Sequence, residues 1–126
     1  PQEVPSFGMI HELLWSDPSV QISGFGQNNR GSCLTFGPKA ARDFMKKFDF
    51  EMIVRAHELV QDGFSFPFGK TMNVVTLFSA TQYSTGNNLG AVMMIDDSLN
   101  YYFDTYQGLR EDEKRQYERT DFNKYV

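Results

Sequence analysis

The feature that most constrains this chain is the train of short apolar runs in its second half. Met52–Val54, Phe64–Phe68, Val74–Ser79, Ala91–Ile95 and Tyr101–Tyr106 are separated by clusters of Gly, Asn and Asp. Runs of this length, rich in β-branched and aromatic residues and bounded by turn formers, predict strands of a mostly antiparallel sheet. One clear helix precedes them, over Pro38–Phe48. Ala41, Phe44, Met45 and Phe48 recur at helical spacing and form one apolar stripe. Pro38 sits in the first turn, where a missing N–H costs nothing, and Lys46 and Lys47 complement the dipole in the last. The class is therefore α+β.

Ahead of the helix the signals are weaker. Residues 1–8 read as a loop, and Met9–Trp15 is an apolar run that stops at a turn, Ser16-Asp17-Pro18. From Ser19 to Gly31, an Asn-containing stretch punctuated by Gly24, Gly26 and Gly31, a long loop is expected, of the kind that carries function. A further strand is possible over Ser32–Phe36. Hydrophobic residues make up 40% of the chain and aromatics 15%, which argues for a packed core over disorder. At 126 residues that core belongs to one small domain, marginal if it is part of a larger one. The chain opens on Pro1, not methionine, which fits a fragment. A net charge of −4 gives no basic footprint, so no nucleic-acid partner is expected. No apolar run is long enough to span a membrane, and none is expected as a partner. The single cysteine, Cys33, cannot pair internally, which points to a reducing compartment, the cytoplasm or nucleus.

Several side chains could carry chemistry. His57 follows a strand, where a neutral imidazole can ligate a metal or simply hydrogen-bond within the structure. The other histidine, His11, lies in an apolar run, and one His cannot by itself hold a catalytic metal. Arg30 sits in the Gly- and Asn-rich loop, placed to offer a planar fork to phosphate oxygens or to be an ordinary loop arginine. Asp17 is either an acceptor that orients a neighbour or a turn residue. Tyr83, beyond the Val74–Ser79 strand, can donate its hydroxyl to an anion or act as a rim aromatic. Cys33 and Trp15 read as packing residues.

Taken in order, these segments resemble the phosphoprotein phosphatase family of serine/threonine phosphatases. The resemblance runs through Leu13-Leu14-Trp15-Ser16-Asp17-Pro18, Gly26-Gln27-Asn28-Asn29-Arg30-Gly31, Phe36-Gly37, Arg55-Ala56-His57-Glu58 and Asp62-Gly63-Phe64. It continues through Val75-Thr76-Leu77-Phe78-Ser79-Ala80, Tyr83 and Gly90-Ala91-Val92-Met93-Met94, and covers residues 1–107. The type-1 branch looks nearest. The resemblance implies the C-terminal portion of a calcineurin-like metallophosphatase β-sandwich flanked by helices, with residues 108–126 as a charged tail, either a solvated helix or frayed. It implies hydrolysis of phosphoserine and phosphothreonine in proteins by water activated between two divalent metal ions (manganese, or iron and zinc). Phosphoprotein substrates and regulatory subunits are the implied partners. By the same resemblance His57 is a ligand of one metal ion, Arg30 a phosphate-clamping arginine, Tyr83 a tyrosine lining the site and Asp17 an acidic residue beside it.

Two departures qualify these expectations. The family's GDxHG, GDxVDRG, GNHE and HGG segments, which supply the other metal ligands, do not occur in these 126 residues. This chain supplies at most one ligand, so by itself it is expected to be inactive. The family's SAPNYCGEFDN loop is replaced by Ser79-Ala80-Thr81-Gln82-Tyr83-Ser84-Thr85-Gly86-Asn87-Asn88, with proline, cysteine and two acidic residues gone. That loss favours the competing expectation, a non-catalytic pseudophosphatase or interaction fragment that binds through aromatics such as Phe64–Phe68 or Tyr101–Tyr106.

Overall fold

The computed structural model describes residues 3–29, 31, 33–109 and 113; the expectation of a charged tail falls almost wholly outside the described residues. In chain order the elements are helix α1 (Met9–Trp15), strands β1 (Asp17–Pro18), β2 (Phe25–Gln27) and β3 (Leu34–Phe36), helix α2 (Pro38–Phe48), and strands β4 (Ile53–Arg55), β5 (Phe64–Ser65), β6 (Val74–Leu77), β7 (Gly90–Ile95) and β8 (Tyr101–Tyr106). They form an α+β fold, as expected from the sequence.

Among the described residues three small sheets carry the strands, in the orders β1-β3-β2, β4-β6-β5 and β7-β8. The β1–β3 and β4–β6 pairs are parallel and the other pairs antiparallel. The central strand β6 is the core: Val74, Val75 and Thr76 are almost wholly buried, joined by Ala91 at the start of β7. β-branched residues suit a strand covered on both faces. Its neighbour β4 is less buried than the run Met52–Val54 implied. It lies at the sheet edge, shifted one residue along, and its Val54 is exposed. The β7–β8 hairpin is closed by Asp96, whose carboxylate accepts the backbone N–H groups of Ser98 (2.9 Å) and Asn100 (2.8 Å) and the side-chain amide of Asn100 (3.0 Å). Those donors, the Asn100 side chain foremost, hold the Asp96 carboxyl below its ordinary range.

Two segments differ from the sequence expectation. Met9–Trp15 is a helix, and the following Asp17-Pro18 is a short strand paired in parallel with Thr35-Phe36, not a free turn. The long loop from Ser19 to Gly31 is interrupted by β2, whose Phe25, Gly26 and Gln27 pair with Phe36, Thr35 and Leu34. Both strands have two or three residues, too short for a period-2 pattern to show.

Helix α2 spans the residues expected of it and ends at Asp49 in the left-handed conformation, with the Phe50 N–H returning to the Met45 carbonyl at 2.9 Å. Its apolar stripe is only half covered. Ala41 is buried, while Phe44 and Phe48 are exposed and pack on each other and on Phe50, with ring centroids 4.9–5.9 Å apart. Around α1, Phe7, Met9 and Leu13 are 78%, 77% and 73% exposed. Apolar surface on this scale drives association in water. The 126-residue chain by itself is therefore expected to self-associate in analytical ultracentrifugation, and a monodisperse monomer that melts cooperatively would contradict this.

Candidate functional site

The site is organised by the parallel pair β4 and β6. Their register, Ile53 opposite Val74, Val54 opposite Val75 and Arg55 opposite Thr76, sets their carboxyl ends side by side. From one end the chain passes into Ala56-His57, and from the other into the loop that carries Tyr83. Loops beyond the carboxyl ends of parallel strands are where such folds gather ligand-binding groups.

At the end of β4, Arg55 fastens three segments together. Its Nη2 donates to Asp17 Oδ1 at 2.7 Å and to the Ser16 carbonyl at 3.1 Å, and its Nη1 donates to Glu58 Oε2 at 2.9 Å. The Arg55 and Asp17 side chains are only 11% and 13% exposed, so this ion pair is largely removed from water. The planar fork of arginine suits this position because it reaches a carboxylate and a carbonyl at once. The second oxygen of Asp17 accepts from Asn28 Nδ2 at 3.2 Å. Asn28 is itself buried and reaches toward the Trp15 carbonyl, which also accepts from the Cys33 thiol at 3.1 Å. The last carbonyl of α1, without a partner inside the helix, is thereby satisfied.

His57 follows two residues after Arg55. Its φ is +74°, an uncommon backbone for a residue with a Cβ and one often stored at functional sites. The exposed imidazole lies against Trp15, ring centroids 4.3 Å apart and tilted by 54°. The buried His11 lies 6.2 Å from the same indole. One turn earlier, Glu12 Oε2 accepts the Leu34 N–H at 2.9 Å and the Ser16 hydroxyl at 2.8 Å. Those bonds, the Leu34 amide first, hold its carboxyl below the ordinary range and tie α1 to β3.

The adjoining strand β6 runs into the loop that carries Tyr83. Tyr83 is 55% exposed, its ring resting edge-on against Phe78 with centroids 5.3 Å apart. The structure thus gathers Asp17 and His57 around Arg55 and Trp15, and sets Tyr83 on the loop of the adjoining strand. Arg30, the fourth residue singled out from sequence, lies outside the described residues. Among the described residues no three His, Cys, Asp or Glu side chains are grouped so as to hold a metal ion. A two-metal centre does not fit the described side chains of this chain alone.

Sequence reasoning places Arg55 within a motif and gives it no role of its own. The signal that could have found it is a charged residue inside an apolar strand, two positions before the candidate histidine; a buried arginine requires a carboxylate partner. Asn28 is placed by the sequence within a loop motif and given no role of its own, and nothing in its surroundings there distinguishes it from Asn29.

Comparison with known proteins agrees with this architecture. The profile of the calcineurin-like phosphoesterase family matches residues 1–61. The fold is similar to that of a protein serine/threonine phosphatase from Saccharomyces cerevisiae with similarity to human phosphatase PP5, at a TM-score of 0.74 and 29% identity. The match covers 87% of this chain and 37% of that one, so the chain spans little more than a third of its structural relative. Both findings agree with a calcineurin-like phosphatase fold.

Proposed function

We propose that this chain is the C-terminal part of the catalytic domain of a protein serine/threonine phosphatase, nearest the type-1 branch, with residues 1–107 in the domain and 108–126 as a tail. One observation carries the reading most: the Arg55–Asp17 ion pair stands beside His57 at the strand ends, in a fold 29% identical to a serine/threonine phosphatase. A chain selected only to bind a partner has no need of a buried ion pair fixing the turn that presents an exposed histidine.

In this reading His57 is one ligand of a divalent metal pair (manganese, or iron and zinc). Arg30 clamps the phosphoryl oxygens, and Tyr83 lines the site from the next loop. Arg55 holds the Asp17 carboxylate at the end of β4, before the turn that presents His57. The remaining ligands come from family segments absent from these 126 residues, so the chain alone is inactive and activity belongs to a polypeptide that joins the two parts. Its substrates are phosphoproteins, its partners regulatory subunits, and its compartment the cytoplasm or nucleus. The exposed Tyr101, Tyr102 and Tyr106 of β8 favour the second reading, a pseudophosphatase or interaction fragment.

The test is phosphopeptide hydrolysis, with manganese supplied, by the longest natural polypeptide that carries this chain. Hydrolysis is expected there and not from the 126 residues alone. His57→Ala should lower it by about 100-fold, as loss of a metal ligand does at least what loss of a ligand's support does. A polypeptide that binds phosphopeptide without hydrolysing it would establish the pseudophosphatase instead. Hydrolysis by the isolated chain that depends on His57 would refute its predicted inactivity.

A further inference from the structure

We propose that Asn88 is the positioning residue for Tyr83, the group that fixes the loop from Ala80 to Leu89 in the one conformation that presents the phenol. The proposal rests on the phosphatase reading for the role of Tyr83, and on this chain's own hydrogen bonds for the role of Asn88.

The loop is held in a costly shape. Gln82 and Ser84, the two neighbours of Tyr83, have φ of +51° and +58°, left-handed backbone that residues with a Cβ adopt at a cost. Such a conformation persists only where surrounding contacts over-determine it. The Phe78 ring meets the tyrosine ring at right angles and leaves it 55% exposed. The restraint comes from the other end of the loop, where Asn88 is buried to 1% exposure.

All three side-chain bonds of Asn88 go to backbone groups of this loop. Oδ1 accepts the Tyr83 N–H at 2.9 Å, and Nδ2 donates to the carbonyls of Ala80 at 2.7 Å and Leu89 at 3.0 Å. Those partners fix the amide orientation, because an N–H only donates and a carbonyl only accepts. The Asn88 carbonyl adds a fourth tie, accepting the Gln82 N–H at 3.1 Å. Only a side chain with an acceptor and two donors on one planar group serves all three partners. Aspartate lacks the donors, leucine lacks everything but the shape, and glutamine sets the group one methylene too far. A residue kept only to fill the core would not need this chemistry.

The test uses the longest natural polypeptide that carries this chain. Asn88→Ala should speed hydrogen exchange at the Tyr83 amide by about tenfold, the effect of losing one modest hydrogen bond. Exchange at Val75 and Val92, in the strands on either side, should stay as in the wild type and so report the intact fold. In phosphopeptide turnover, Asn88→Ala should lower kcat, and Tyr83→Phe should add little on that background although it is costly alone; that non-additivity marks action through Tyr83. If the alanine variant does not fold, Asn88→Ser, whose shorter hydroxyl cannot span the three partners, is read in the same two ways. Unchanged exchange at Tyr83, or additive losses from the two substitutions, would overturn the proposal. A wild-type polypeptide without turnover would overturn the phosphatase reading alone, and exchange at Tyr83 would still decide whether Asn88 positions it.

Discussion

Replacing Arg55 by methionine, which keeps an apolar stem of the side chain and removes its guanidinium, is expected to destabilise the fold by about 3–5 kcal/mol. The reason is what the substitution leaves behind. Asp17, 13% exposed, keeps the hydrogen bond from Asn28 but loses the guanidinium, and depriving a largely buried carboxylate of a cation is costly. The Ser16 carbonyl loses a donor as well. Glu58 contributes little, because at 38% exposure its carboxylate returns to water. With that third contact cheap to lose, the result falls toward the lower end of the range. Denaturant titration of the longest polypeptide carrying the chain measures it, with Asp17→Asn as the decisive companion. In the Arg55→Met background that second change removes the buried charge and should restore about 1 kcal/mol or more. If the double variant is no more stable than Arg55→Met, the Asp17 carboxylate is not the source of the loss. If Arg55→Met itself costs less than ~0.5 kcal/mol, the ion pair is no more than a surface contact.

That ion pair also shows what can be read without a structure. The helix at Pro38–Phe48 is legible because its period repeats over three turns and its proline and lysines mark both ends. The hairpin strands Gly90–Ile95 and Tyr101–Tyr106 are legible because apolar and aromatic runs are long enough to stand out from the turn between them. Asp17-Pro18 is not. A two-residue strand has no period, and its pairing with β3 is settled by residues 18 positions away in sequence. The site follows the same division. His57 and Tyr83 can be singled out because each stands just past a readable strand. Asn88 cannot, since its value lies in the positions of three backbone groups that only the folded loop brings within 3.0 Å of one amide. Residues that touch a ligand carry their chemistry in their type; residues that place them carry it in geometry.

Gly63→Ala is expected to cost about 3 kcal/mol, from two sources that a second glycine can separate. Gly63 has φ +80°, which charges any side chain about 1–2 kcal/mol. It also lies where the β4-β6-β5 sheet meets the start of β7. A Cβ there would come within 2.6 Å of the Gly90 carbonyl carbon and 2.7 Å of the Ala91 nitrogen. Both are backbone atoms and cannot swing aside, so β7 itself must shift. Gly63 further accepts the Phe78 N–H at 2.7 Å, at the root of the Tyr83 loop, so a displaced β7 pulls that loop from both ends. Gly69 is the control: its φ is +79°, yet a Cβ there meets nothing within 4 Å. Gly69→Ala should therefore show a backbone cost alone, about 1–2 kcal/mol, and Gly63→Ala a backbone cost plus the clash. Equal losses at the two positions would mean that the sheets have room to part at Gly63, and that the contact between Gly63 and β7 does not set the spacing on which the Tyr83 loop depends.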